Sequence, residues 1–336
     1  MYYFVNDYND ICQEEILQAL KEAIDEKNPG YGFDNHSARA GELIKSVLED
    51  EDVYIRFIPG GTSANILGSS LGMRSQDSIL AAKTAHIEGH EAGSIEACGI
   101  KIQTIPTKDG KLNRKLLEEE YKKYTKEYLS VPKKVYISNS TEVGTIYKKK
   151  ELREIYDFCK ENDLYLFIDG ARLSHALASD KNDVSYKDLT KLCDIFYLGG
   201  TKNGLMLGEA LVIVNDELKK DYINLEKQKG AMLAKGFIPG IMFEKAFEGN
   251  IYRENADIAF KKAKLLYQGL KAKSYKLAYE FESNQIFVEI DKEKRLEWEK
   301  FAKFEITGEN QDKEIVRLVT TYRTSDDEIN GFLEKI

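Results

Sequence analysis

The feature that most constrains this chain is a repeated alternation of short apolar runs with helical or glycine-bearing stretches. Strand-like runs fall at Val53–Ile58, Ser78–Ala82, Lys101–Ile105, Lys134–Ser138, Leu164–Asp169, Ile195–Leu198 and Ala210–Asn215. Apolar strands bounded by helix signals suit a doubly wound sheet covered on both faces, so the expected fold class is α/β. The link from Leu207 to Leu211 is too short for a helical crossover, which marks its strand as the expected antiparallel member. Helical patterns cover Glu14 to Glu26, Ser37 to Leu48 and Asn255 to Leu270. Beyond them come a strand at Gln285 to Ile290, a helix at Arg295 to Phe301, a strand at Val316 to Thr320 and a helix at Asp326 to Ile336. A large domain over residues 1–245 and a smaller C-terminal α/β domain over 246–336 are expected.

Charge and composition narrow the function. The 336 residues carry 57 acidic against 49 basic side chains, a net charge of −8, and the basic ones are scattered rather than gathered into a stripe. Nucleic acid is therefore not an expected partner. No segment approaches the roughly 18 uninterrupted apolar residues of a membrane span, and the first ten residues lack a targeting pattern, so a cytoplasmic location is expected. Cys12, Cys98, Cys159 and Cys193 form no Cys-x-x-Cys pair. They read as reduced thiols, without a zinc site.

Four segments carry chemistry. In Ile195-Phe-Tyr-Leu-Gly-Gly-Thr-Lys202 a lysine follows an apolar strand, where lost solvation would lower its pKa and free a nucleophilic amine suited to Schiff-base formation; a turn lysine in water fits the segment equally. Leu164-Tyr-Leu-Phe-Ile-Asp169 ends a strand in a carboxylate at the edge where open α/β sheets gather ligands. Such an Asp can pair with a protonated pyridine nitrogen, and can also be a helix cap or metal ligand. Pro59-Gly-Gly-Thr-Ser-Ala-Asn65 puts small residues between strand and helix, a place for a phosphate, although an ordinary turn also reads this way. In Thr84-Ala-His86-Ile-Glu-Gly-His90-Glu91 two glycine-flanked histidines lack a convincing helix to bring them onto one face. An aromatic His86 over a cofactor ring is preferred to a metal site there.

Together these segments resemble the threonine aldolase and β-eliminating lyase family of fold-type-I pyridoxal-phosphate enzymes, over nearly the whole chain. The resemblance rests on Asn6-Asp7, Tyr31-Gly-Phe-Asp34, Gly61-Thr-Ser-Ala-Asn65, Ala85-His86 with Glu91-Ala-Gly93, Asp169-Gly-Ala-Arg172-Leu, Gly200-Thr-Lys202 and Arg317-Leu-Val-Thr320. It implies an aminotransferase-like fold with pyridoxal 5′-phosphate bound to Lys202, flanked by Thr201. Asp169 would meet the pyridine nitrogen, His86 the ring face, and Gly61 and Thr62 the phosphate. Arg172 and Arg317, assisted by Asn6, would clamp an amino-acid carboxylate. The implied reaction is retro-aldol cleavage of L-threonine or L-allo-threonine to glycine and an aldehyde, by a homodimer or homotetramer. A β-eliminating lyase, an aminotransferase and a non-catalytic cofactor binder are the alternatives. The family often has a Glu-Asn-Thr-His type segment where this chain reads Ser138-Asn-Ser-Thr-Glu142.

Overall fold

The computed structural model describes residues 1–124, 126–220, 222–310 and 312–336. Its large sheet has seven strands: β1 (Tyr54–Ile58), β2 (Asp77–Ala82), β3 (Lys101–Ile105), β4 (Val131–Ser138), β5 (Tyr165–Asp169), β6 (Ile195–Gly199) and β7 (Glu209–Ile213). They lie in the order β1-β7-β6-β5-β4-β2-β3. Only β7 runs against the others, pairing antiparallel with both β1 and β6, as the short Leu207 to Leu211 link requires. Because β1 and β6 flank it, all six remaining strands end at one edge.

Both faces of this sheet are covered. One face packs Leu80, Val135, Leu166, Phe196 and Val212 under helices α1 (Glu14–Glu22), α2 (Asn35–Leu48), α4 (Lys149–Glu161) and α5 (Phe237–Glu248). The other packs Ile79, Tyr136, Phe167, Tyr197 and Leu211 against α3 (Gly61–Ser70). Helix α2 starts where Asp34 accepts from the Ser37 amide at 2.8 Å, a cap worth about 1 kcal/mol. Helix α3 is held from below by Lys134 of β4, whose buried Nζ donates to the carbonyls of Gly68, Ser69 and Leu71 at 2.5, 3.2 and 2.6 Å. This amine satisfies the helix's last acceptors, and burial lowers its pKa to about 7.

A smaller antiparallel sheet follows the 22-residue helix α6 (Ile251–Ala272): β8 (Lys276–Leu277), β9 (Gln285–Asp291), β10 (Glu305–Asn310) and β11 (Lys313–Val319), in the order β10-β11-β9-β8. With helix α7 (Asp326–Lys335) it encloses a separate core of Ile286, Val288, Trp298, Val316, Leu318 and Phe332. The N-terminal segment is threaded into this unit. Tyr2–Tyr3 pairs in parallel with Ala302–Lys303, and the Val319 amide donates to the Phe4 carbonyl at 2.9 Å. That pairing delivers Asn6 and Asp7 to the edge where the large sheet ends. Among the described residues, no helix is long and apolar enough to cross a membrane.

Candidate active site

Five parallel strands lead their site residues to the same edge: β1 to Gly61, β2 to His86, β4 to Glu142, β5 to Asp169 and Arg172, and β6 to Lys202. The β5 and β6 endings are locked backbone to backbone. The Gly199 amide donates to the Gly170 carbonyl at 3.1 Å. A Cβ on Gly170 would lie 1.6 Å from the Tyr197 carbonyl oxygen, and one on Gly199 2.3 Å from that of Ala171. Only glycine lets the Asp169 and Lys202 turns come this close.

Asp169 is 3% exposed. Its neighbours on either side in the sheet, Tyr136 of β4 and Tyr197 of β6, turn their hydroxyls onto it: Tyr136 donates to Oδ2, and Tyr197 to Oδ1 at 2.5 Å. The Ala171 amide adds a third bond to Oδ1 at 3.0 Å. A carboxylate has about four acceptor positions, so one remains for a donor arriving from the open side. Both tyrosine pKa values are pushed up, by burial first and then by Asp169. Sequence reading missed this pair, although a Tyr inside a fully apolar strand always needs a partner for its hydroxyl.

Lys202 is half-buried beside the Tyr8 ring, 5.9 Å from its centre. Burial lowers its pKa, and Arg172 lowers it further, which favours the free amine. Below the same turn lies Glu209, 4% exposed, accepting from the Gly200 amide at 2.7 Å. Burial raises its pKa to about 7.

Arg172 does not stand free. Asp7 accepts from its Nε at 2.7 Å and from one terminal nitrogen at 3.0 Å, and Asn284 braces Asp7 at 3.0 Å. Burial works to raise the Asp7 pKa, but Arg172 and Lys202 outweigh it and hold the carboxyl far below its usual range. A guanidinium carries five donors in a planar fork, so occupying one edge leaves the other for a carboxylate. Arg317, on β11, is drawn to Glu305 and reaches Gln285 Oε1 and the Val5 carbonyl only at 3.5 Å. Its pKa is lowered by burial and by the nearby Arg172. Two guanidiniums that repel one another form a place for an anion. Asn6 spends its side-chain oxygen on the Tyr8 amide at 3.0 Å.

His86 opens a single helical turn, His86–Gly89, and this short turn, which the sequence did not suggest, brings the His86 and His90 rings to 5.2 Å. His86 Nε2 is 3.6 Å from Glu91, itself bonded by Asn65 at 2.9 Å, while Nδ1 is 3.7 Å from Glu142. Burial disfavours the imidazolium, yet Glu142 and Asp169 raise its pKa above the ordinary value. His90 is exposed. Gly60 and Gly61 open helix α3 with space around them: a Cβ on Gly60 would meet nothing within 4 Å, and one on Gly61 only the Tyr197 hydroxyl at 3.6 Å. Thr62 is exposed in the same turn, and Thr201 is half-buried next to Lys202.

Comparison with known proteins gives the family and the fold. The family model described as beta-eliminating lyase matches residues 11–293. A low specificity L-threonine aldolase of Pseudomonas aeruginosa is 31% identical over 292 residues, covering 85% of this chain and 83% of that protein. A solved Leishmania major threonine aldolase superposes with a TM-score of 0.97 at 40% sequence identity, covering 99% of this chain and 98% of that one. An aspartate aminotransferase from Thermus thermophilus, only 15% identical, has a TM-score of 0.72 over 100% of this chain and 90% of its own, so the fold is aminotransferase-like.

Proposed function

Since this chain belongs to the beta-eliminating lyase family, we propose that it is a pyridoxal-phosphate-dependent carbon–carbon lyase that splits L-threonine, L-allo-threonine and related β-hydroxy-α-amino acids into glycine and an aldehyde. One observation carries this reading. Lys202, whose pKa is lowered by burial and then by Arg172, shares one sheet edge with the doubly tyrosine-bonded Asp169 and the half-open fork of Arg172.

The residues present fit pyridoxal 5′-phosphate. Asp169 keeps an acceptor position for the pyridine nitrogen, and the side-chain-free opening turn of α3 leaves room for a phosphate among backbone N–H groups at the positive end of the helix. Gly61 and Thr62 would hold that phosphate, Thr201 and His86 would flank the ring, and Lys202 Nζ would hold the aldehyde carbon. When bound, the cofactor supplies an electron sink for the pair released from a bond at Cα.

The chain's own groups decide which bond that is. Arg172, through the fork edge that Asp7 leaves open, and Arg317 orient the substrate carboxylate, with Asn6 beside them. Two fixed guanidiniums set the tilt of the amino acid, and tilt selects Cα–Cβ over Cα–H. The remaining task is removal of the β-hydroxyl proton, which falls to the groups around His86.

The test is an absorbance spectrum of the purified protein with added pyridoxal phosphate, followed by glycine and then L-threonine or L-allo-threonine, with aldehyde assayed. A visible band that Lys202→Ala loses, together with aldehyde release, is expected. A band without aldehyde would move the function to another amino-acid reaction, and no band would end the cofactor assignment. The assembly we expect is a cytoplasmic homodimer or homotetramer. Four unpaired cysteines suit a reducing compartment. Sedimentation analysis of active protein checks the assembly; an active monomer would refute it.

A further inference from the structure

Basic and acidic groups are interleaved at the mouth of this site. Arg172 lies close enough for its charge to act on both Lys202 and Arg317, and Lys202 acts in turn on His86. Most of the carboxylates facing them are already engaged. Asp7 holds Arg172, Glu305 holds Arg317, Asp169 accepts from two tyrosines and an amide, and Glu91 accepts from Asn65.

Glu142 differs. It follows the carboxyl end of β4, with Oε1 3.7 Å from His86 Nδ1 and its side chain 18% exposed. Among the described residues, His86 is its only hydrogen-bond or ion-pair partner. Most of its acceptor positions are therefore open, and Arg172 and Lys202 lie near enough for their charges to lower its pKa.

Resting on the aldolase reading above, we propose that the Glu142 carboxylate recognises the substrate's side-chain hydroxyl, accepting first its hydrogen bond and then its proton, with His86 as charge partner. The O–H bond breaks, its proton passes to a Glu142 carboxylate oxygen, and its electron pair forms the carbonyl of the departing aldehyde. The Cα–Cβ bond breaks in the same step and leaves its pair on the substrate's Cα, where bound pyridoxal phosphate would supply the electron sink. A proton from water then completes glycine, and Glu142 returns its own proton to water, so threonine divides into glycine and acetaldehyde without oxidant or reductant.

His86 is the less available acceptor of the two. Carboxylates face both ring nitrogens, Glu91 at 3.6 Å and Glu142 at 3.7 Å, and although burial disfavours the imidazolium, Glu142 and Asp169 raise its pKa, which favours the form with both nitrogens protonated. Glu142 stays ionised: burial works to raise its pKa, but His86 and Arg172 bring it down to about 2. A substrate carboxylate between the arginines cancels part of that positive charge, so Glu142 gains basicity as the hydroxyl arrives.

The experiment compares the wild-type holoenzyme with Glu142→Gln and Glu142→Asp, using L-threonine and glycine as probes. Glu142→Gln keeps the size of the side chain but cannot take a proton. Its kcat for aldehyde release should fall by ~10²–10³-fold, with Glu142→Asp recovering part of the loss. The spectrally measured Kd of glycine, which has no side chain to recognise, should change by less than about threefold. In the cofactor-free protein, NMR titration of the imidazoles should show the His86 midpoint moving down in Glu142→Gln. Equal weakening of glycine and threonine would assign Glu142 to the substrate's ammonium group and overturn the proposal, as would an unchanged kcat. A wild-type enzyme that binds glycine spectrally but releases no aldehyde would remove the aldolase reading and this proposal with it, leaving the cofactor assignment standing.

Discussion

At the scale of single residues, the site is built from charges that need partners. Arg172 and Asp7 lie 165 positions apart and are 6% and 3% exposed, so neither can turn to water if the other is lost. Removing one member of a buried pair leaves an uncompensated charge, which costs about 3–5 kcal/mol. Asp7→Ala should lower unfolding stability by ~3 kcal/mol in urea titrations and raise KM for the amino acid, because the Arg172 fork loses the brace that aims its open edge. An effect within ~0.5 kcal/mol would mean that water reaches Arg172. Lys202, Asp169 and His86 were legible in the sequence, because each follows an apolar run or sits in a short motif. Asp7, Tyr136 and Tyr197 had no legible role, because their meaning lies in partners that only the fold brings near.

Among elements, what matters is how closely two segments approach. The turns after β5 and β6 touch through Gly170 and Gly199, and the 1.6 Å separation from a Cβ on Gly170 to the Tyr197 carbonyl leaves no rotamer to escape into. Gly170→Ala must therefore push the Asp169 turn off the Lys202 turn, at a cost of at least ~3 kcal/mol. Thermal unfolding should register this as a large fall in Tm, and loss of pyridoxal phosphate binding should accompany it. Two of the elements that escaped sequence reading did so for related reasons. Strand β10, Glu-Ile-Thr-Gly-Glu-Asn, has one large apolar residue and so no alternation to detect; its existence depends on antiparallel pairing with β11. Helix α5 carries Pro239 and Gly240, which read as breakers. Proline is tolerated in a first turn, where its missing N–H is not needed, and Gly240 gives the backbone of α2 room at Ser37.

Across the whole molecule, two buried titrating groups oppose each other. His175, 1% exposed, has its pKa lowered by burial from 6.5 to about 4, so the unfolded chain binds the extra proton between those values and stability rises with pH. Burial raises Glu209 from 4.5 to about 7, so there the folded chain binds the extra proton and stability falls with pH. Between pH 4.5 and 6.5 the two slopes cancel, each worth about 3 kcal/mol over the interval. Glu209→Gln should therefore gain ~3 kcal/mol relative to wild type from pH 4.5 to 6.5, and His175→Asn should lose a similar amount. Urea midpoints of the cofactor-free protein across that range provide the check. Parallel curves for wild type and both variants would mean that neither group titrates as its burial requires.

The sequence by itself determined the strands of the large sheet, the reversal of β7 and the residues that stand at strand ends. Those are local consequences of apolar runs, short links and breakers, readable within ten residues of each position. Only the tertiary structure decided that Asp7 holds one edge of Arg172, that two tyrosines close on Asp169, that Glu305 draws Arg317, and that Glu142 remains open beside His86. Each of these depends on which strand lies next to which and on what burial does to a charge. Neither property belongs to any segment taken alone.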